Sequence, residues 1–306
     1  TRWLQIGSFQ FQPTEVAKII LIIFFAMFLM KHEDDLNTAK TIFTAIGLLL
    51  VPLALVVTQP DLKNTITITV VFCALMYLAG LSYKVIAGVL GVTIPLVLIL
   101  LFIITQTDFQ LPEPLDSTIG YQLDRIRTWN DPDAEENSSG AIQQNNSITA
   151  IGSGQLTGKG LNNNDVSSAN KGNFVAEIHN DFIFAVAGEE LGFIGCCVII
   201  LILALIVFQC IRIGRRAKDE AGMLIACGVG TLVAFQSFLN ISVATGILPN
   251  TGTTLPFVSY GLTSLWTFFI GMGLVLNVGL QNRNFVTRND ELSRRKTVYE
   301  HRIHRA

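Results

Sequence analysis

The sequence predicts an all-α polytopic membrane protein with seven transmembrane helices and a long extracytoplasmic loop, and three observations carry that expectation. Half of the 306 residues are hydrophobic and only 14% are charged, where a soluble chain of this size carries about 25%; the mean hydropathy is +0.50. Apolar segments recur at about the 20-residue length that crosses a bilayer core. Basic residues crowd beside some of these segments and are scarce beside others, the bias that orients membrane helices. A net charge of −2 leaves no basic footprint for nucleic acid, and no nucleic-acid-binding motif is present.

The first span, about 15–30, opens on QPTEVAK. Glu15 and Lys18 are three apart and share one helix face, either as a local ion pair or as part of a site. The second span, about 40–58, runs into TQPD, where Pro60 interrupts the helix. Asp61 then either caps the third span, about 65–81, or contributes a site carboxylate. The fourth is expected at about 84–105. Residues 106–180 form the long loop, which holds YQLDRIRTWNDP, AIGSGQLTGKG and NNNDVSSAN. Arg125 and Arg127 in the first piece are surface charges or anion contacts. The second piece lacks the G-x-x-x-x-G-K-[ST] spacing of a phosphate-cradling loop and is excluded as one. The third has the composition of a surface loop.

The fifth span, about 183–210, is headed by HNDF, and the sixth covers about 220–240. TGTTLPFVSYG then places Pro, Gly and hydroxyl residues at membrane depth, where irregular backbone is tolerated only if it is buried in protein or lines a cavity. The seventh span, about 262–281, leads to a basic tail, 282–306. The five cysteines (Cys73, Cys196, Cys197, Cys210 and Cys227) lie in or beside apolar runs and read as small hydrophobic residues, with no metal-ligand spacing.

Orientation follows the basic residues. Arg212, Arg215, Arg216 and Lys218 follow the fifth span closely, and the tail carries seven basic residues against three acidic. Both segments are expected in the cytoplasm. The loop 106–180 has four basic residues against ten acidic and belongs outside. Alternation then sets the start of the sequence outside and its C-terminus inside. A start outside, with neither an initiating Met nor a signal peptide, leads to the expectation that earlier spans precede this sequence.

HNDFIFAVAGEELG, 179–192, sets three carboxylates ahead of an apolar run. Residues 191 to 210 already suffice to cross the hydrocarbon, so Glu189 and Glu190 are expected at the outer interface. Were the helix to continue upward, Asp181 would stand ~12 Å above Glu189, rotated by ~80° from it and by ~180° from Glu190. One face cannot hold all three. Asp181 either caps the fifth span or, as an acid beside an apolar run, is a functional candidate.

RWLQIGSFQFQPTEVAK, TQPDLKNT, RIRTWNDP with AIGSGQLTGKG, HNDFIFAVAGEELGFIG, and TGILPNTGTTLPFVSYG occur in this order. Together they resemble the SEDS family of bacterial cell-wall proteins (RodA, FtsW and SpoVE), and the GSGQLTGKG form looks more like the RodA branch. The resemblance implies ten spans with both termini cytoplasmic, of which residues 1–306 hold the last seven as a single membrane domain. Four departures stand out: HNDF for HTDF, Lys63 where Gly is usual, Leu262 for the second Gly of SYGG, and Val-Ala-Glu at 175–177 for Leu-Pro-Glu.

The resemblance further implies a peptidoglycan glycosyltransferase that joins lipid II units at the outer face of the cytoplasmic membrane, beside a class B penicillin-binding protein that crosslinks the strands. The family's catalytic aspartate maps onto Asp181. Glu15, Lys18, Asp61, Arg125, Arg127, His179 and Ser259, all in matching motifs, make up the expected substrate-binding set. The chemistry suits these residue types. A carboxylate can take the proton of an attacking sugar hydroxyl, and cations stabilise a departing diphosphate. No cofactor is expected, and no ligand set calls for a divalent cation. Two other readings remain: a flippase for the lipid-linked precursor, and a non-catalytic scaffold for the penicillin-binding protein. A transporter would carry ionisable residues near the membrane midplane; here they stand at the outer ends of the spans.

Overall fold

The computed structural model describes residues 4–6, 9–59, 61–88, 91, 95, 120–130, 139–161 and 179–281. It opens on a feature the sequence did not announce, a short antiparallel hairpin of β1 (Leu4–Ile6) and β2 (Phe9–Phe11), with Leu4 opposite Phe11. Pro13 ends the pairing and starts α1 (Pro13–Lys31), since proline suits the first helical turn, where its missing N–H has no helical partner. Thr38 caps α2 (Ala39–Val57) by accepting from the Thr41 N–H. Asp61 does the same for α3 (Leu62–Leu78), so this helix begins three residues before the hydropathy boundary at 65.

Within the long loop the chain folds into two helices, α4 (Tyr121–Asn130) and α5 (Ser139–Ser153). They are followed by α6 (Ile183–Gly214), α7 (Glu220–Ala244, capped by Asp219) and α8 (Leu262–Gln281). Among the described residues, α1, α2, α6, α7 and α8 are long and apolar enough to cross a membrane, and α3 is a shorter apolar helix. Six of the seven expected spans are therefore present as helices. The fourth is helical at 83–88, and most of its remainder, like the tail 282–306, lies outside the described residues.

The centre of the bundle is α7, two-thirds buried in its most apolar stretch, whereas α6 is only 17% buried and turns Ile194, Val198, Leu201, Ile202, Leu205 and Phe208 outward. Small residues let neighbours approach α7 closely. Gly228 faces Ile22 of α1 and Leu75 of α3, and Gly230 faces Cys210 of α6. The larger core is built on Ile22, Phe25, Leu29, Leu75, Leu224 and Val229 of α1, α3 and α7. A second core, around Phe182, Phe184, Ala185, Val243 and Leu255, sits where α6 starts and α7 ends.

The ends of α1 (start), α2 (end), α3 (start), α6 (start), α7 (end) and α8 (start) meet at one end of the bundle, and α5 closes over it. Gln144 Nε2 donates to the carbonyls of Val243 and Leu248 (2.9 and 2.7 Å), and Ser147 Oγ donates to that of Ala244 (2.8 Å). Carbonyls in the last turn of a helix lack intrahelical partners, so a loop helix supplies donors at the end of α7. Trp129 of α4 adds a bond to the Gly246 carbonyl (2.9 Å).

Candidate active site

Two polar clusters occupy this end of the bundle. The first surrounds a turn formed by 250–253, between α7 and α8. Asp181 lies in a turn two residues before α6, in which Phe182 stands at the N-cap position without a side-chain cap bond. The continuous helix through Asp181 that set its height and angle is therefore absent, and Asp181 does not cap α6. Its backbone carbonyl accepts from Asn240 Nδ2 at 2.8 Å, and the same amide group donates to the Thr253 carbonyl at 2.5 Å. Asn240 thus ties the Asp181 turn to the 250–253 turn from below.

The Asp181 carboxylate faces Gly252, whose φ is +69° and at which an added Cβ would lie 3.0 Å from Asp181 Oδ2. Arg125 Nη1 donates to the Asn250 carbonyl (2.6 Å), and Lys63 Nζ donates to the Gly252 carbonyl. One carboxylate and two cations from three distant segments thus converge on one short turn. Within it, Thr251 Oγ1, Thr253 Oγ1 and the neighbouring Asn240 Oδ1 are buried without a hydrogen-bond partner among the described residues. Such groups carry a desolvation cost, and here they cluster at the turn that the carboxylate faces.

Gly252→Ala is expected to strain this turn by about 1–2 kcal/mol, because an L residue pays for left-handed backbone, and to push on the Asp181 carboxylate. The measurement is a thermal midpoint, which is expected to fall.

Ser259 is mostly buried and its hydroxyl is committed to the backbone: Oγ donates to the Asn180 carbonyl and accepts from the Leu255 N–H, each at 2.6 Å. The exposed His179 enters through its carbonyl, which accepts from the Tyr260 N–H at 2.9 Å. These two expected contacts hold the Asp181 turn against 255–260. Arg127 falls in α4, and its side chain is outside the described part.

The second cluster lies between α1, α3, α7 and α8. Lys18 and Glu15 form a buried ion pair at 2.9 Å, and Lys18 also donates to Gln236 Oε1 at 3.3 Å. Asp61 is 1% exposed. Its Oδ1 accepts from the Asn64 N–H (3.3 Å), and its Oδ2 accepts from Asn64 Nδ2 (2.8 Å) and Gln12 Nε2 (3.2 Å). The capping and local-pairing readings of these motifs describe the arrangement present. Lys63, two residues past Asp61, reaches into the first cluster.

Sequence reasoning passed over Gln236, Asn240, Lys63 and Gly252 as site residues. Gln236 and Asn240 did leave a signal: two amides four apart on an apolar helix fall on one face, and polar groups inside a membrane helix are costly enough to have partners.

The family model for cell cycle proteins of the FtsW, RodA and SpoVE group matches residues 1–284. A relative from Aliivibrio salmonicida, named "Probable peptidoglycan glycosyltransferase FtsW", is 35% identical over 93% of this chain and 67% of its own length. A relative of the same name from Haemophilus influenzae is 32% identical over 93% and 68%. The chain therefore spans about two-thirds of the length of these relatives. Its fold is also that of a chain in a peptidoglycan synthase complex that coordinates polymerisation and crosslinking (TM-score 0.67, 22% identity, 92% of this chain and 73% of that one). The rod shape-determining protein RodA of Thermus thermophilus is similar too (TM-score 0.58, 22% identity, 92% and 70%). Relatives by sequence carry the FtsW name and a solved neighbour the RodA name, so the matches speak for the family and not for one branch. With the model matched over 1–284 and the apolar helices it requires in place, this multi-pass membrane chain belongs to the FtsW, RodA and SpoVE family of cell cycle proteins.

Proposed function

We propose that this chain is the greater part of a peptidoglycan glycosyltransferase that extends glycan strands from a lipid-linked diphosphate sugar, with Asp181 as general base. The observation that carries the reading is the convergence of the Asp181 carboxylate with Arg125 and Lys63 on the 250–253 turn. The names of the relatives support peptidoglycan glycosyl transfer, and the lipid-linked diphosphate donor is part of the proposal.

In the proposed reaction a sugar hydroxyl attacks the anomeric carbon of a second unit. Its proton passes to an Asp181 oxygen as the new C–O bond forms, and the bond to the diphosphate breaks with its electron pair on the leaving oxygen. Arg125 and Lys63, both bonded to the 250–253 turn, are the cations proposed to stabilise that developing charge. The unpartnered hydroxyls of Thr251 and Thr253 and the Asn240 carbonyl oxygen suit a ligand rich in hydroxyl groups. A lipid-borne substrate explains a site set at the ends of spans instead of in a soluble domain.

The site end is assigned to the outer face, because Arg215, Arg216 and Lys218 lie at the opposite end, between α6 and α7. A class B penicillin-binding protein is the proposed partner, as crosslinking must follow polymerisation. The test combines the full-length protein and its cognate transpeptidase with purified lipid II, and glycan ladders are read on a gel. Polymer is the expected result. Translocation of labelled lipid II across vesicles without polymer would overturn the reading in favour of a flippase, and neither activity would leave the scaffold.

A further inference from the structure

The glycine-rich segment AIGSGQLTGKG, excluded as a nucleotide loop, has a different task. Helix α6 is broken at Gly192 (φ 67°, ψ −167°), one residue beyond the 191 at which the apolar span was expected to begin. In an unbroken helix the Phe193 and Ile194 N–H groups would donate to the carbonyls of Glu189 and Glu190. The loop after α5 takes both places. Phe193 N–H donates to the Gln155 carbonyl (2.9 Å) and Ile194 N–H to that of Leu156 (3.2 Å), while the carbonyls of Glu189 and Glu190 accept from Lys159 N–H (2.9 Å) and Gly160 N–H (3.1 Å).

These four groups at the break are thus satisfied by 155–160, so the loop is spliced into the helix ladder. Close approach requires glycine on both sides. A Cβ at Gly154 would strike the Gly188 carbonyl, one at Gly158 the Glu190 carbonyl, and one at Gly192 the backbone of 156–158. Lys159 Nζ then pairs with Glu189 Oε1 at 2.7 Å, with the glutamate side chain 1% exposed and the lysine 31%.

Above the break, residues 183–191 carry the Asp181 turn at their head. Below it, 193–214 is the lipid-facing span. We propose that Lys159 and Glu189 are positioning residues: the splice they lock fixes the angle of 183–191 on the span and so sets Asp181 against the 250–253 turn. This inference rests on the role given to Asp181 above. A shift of about 1 Å at a reacting group can cost a hundredfold in rate, so a contact distant from the chemistry has a large lever.

The experiment uses the full-length protein with its transpeptidase and lipid II. It compares Lys159→Met, Lys159→Arg, and Lys159→Met combined with Glu189→Gln, which strands no charge. Two quantities are read: the kcat–KM split of polymerisation, and amide hydrogen exchange of the folded protein in nanodiscs. Lys159→Met is expected to lower kcat roughly ten- to a hundredfold with KM unchanged, and to speed exchange in 183–191 but not in 195–210. Lys159→Arg restores both. If Lys159→Met does not fold, the neutral pair is read by the same criteria. Unchanged kcat, a loss of kcat without local exchange, exchange that rises along the whole chain, or failure of Lys159→Arg to rescue would each overturn the proposal. A wild type that makes no polymer sinks the polymerase reading instead, while local exchange across the Gly192 break still decides whether the splice holds the segment.

Discussion

Asp181→Asn in the full-length protein is expected to fold and to lose polymerisation by a factor of about 10²–10⁴, the usual contribution of a positioned general base. The substitution keeps the size of the side chain while removing its negative charge and its capacity to take a proton. Asp181 does not cap α6, and the bond that ties its turn to Asn240 uses its backbone carbonyl. Ser259 and His179 hold the same turn through backbone groups of Asn180 and Tyr260. A structural aspartate would instead lower the thermal midpoint and the rate together. The measurement is single-turnover polymerisation beside a melting curve: an active Asp181→Asn at wild-type rate would remove the base from the mechanism.

The membrane helices were legible because lipid makes hydropathy and span length direct physical constraints, and α1, α2, α7 and α8 fall within a few residues of their expected bounds. The start of α3 shows where the reading slipped. Hydropathy begins at 65, but the Asp61 cap fixes the helix at Leu62. HNDFIFAVAGEELG was legible only in part. The cost of carboxylates in hydrocarbon set 179–190 apart from the apolar run, and the helix is broken close to that point, at Gly192. That Glu189 would be buried within protein, paired with a lysine 30 residues earlier, could not be read from local spacing. The same holds for Lys63 and Arg125 on the 250–253 turn: each contact spans more than 100 residues, and only the packing of the bundle brings the partners together. Local rules found the candidate carboxylate; tertiary contacts supplied its neighbours.

Lys18→Met is expected to cost about 3–5 kcal/mol of stability, the range for removing one partner of a buried ion pair. The size follows from burial, because the side chains of Lys18 and Glu15 are 1% and 5% exposed. An exposed pair at the same spacing contributes at most about 1 kcal/mol. Methionine fills most of the volume of lysine, and the site is lined by Leu21, Ile22, Phe25, Leu49 and Ile68, so packing changes little. What remains is the Glu15 carboxylate without its cation and Gln236 Oε1 without its donor, both in a low-dielectric interior where unpaired polar groups are most costly. Combining Lys18→Met with Glu15→Gln removes the stranded charge and is expected to recover most of the loss. A thermal melt of the detergent-solubilised variants checks both statements. A Lys18→Met protein as stable as wild type would mean that the pair is hydrated in the membrane-embedded protein, and that Lys18 reaches the polar end of the bundle as a solvated cation after all.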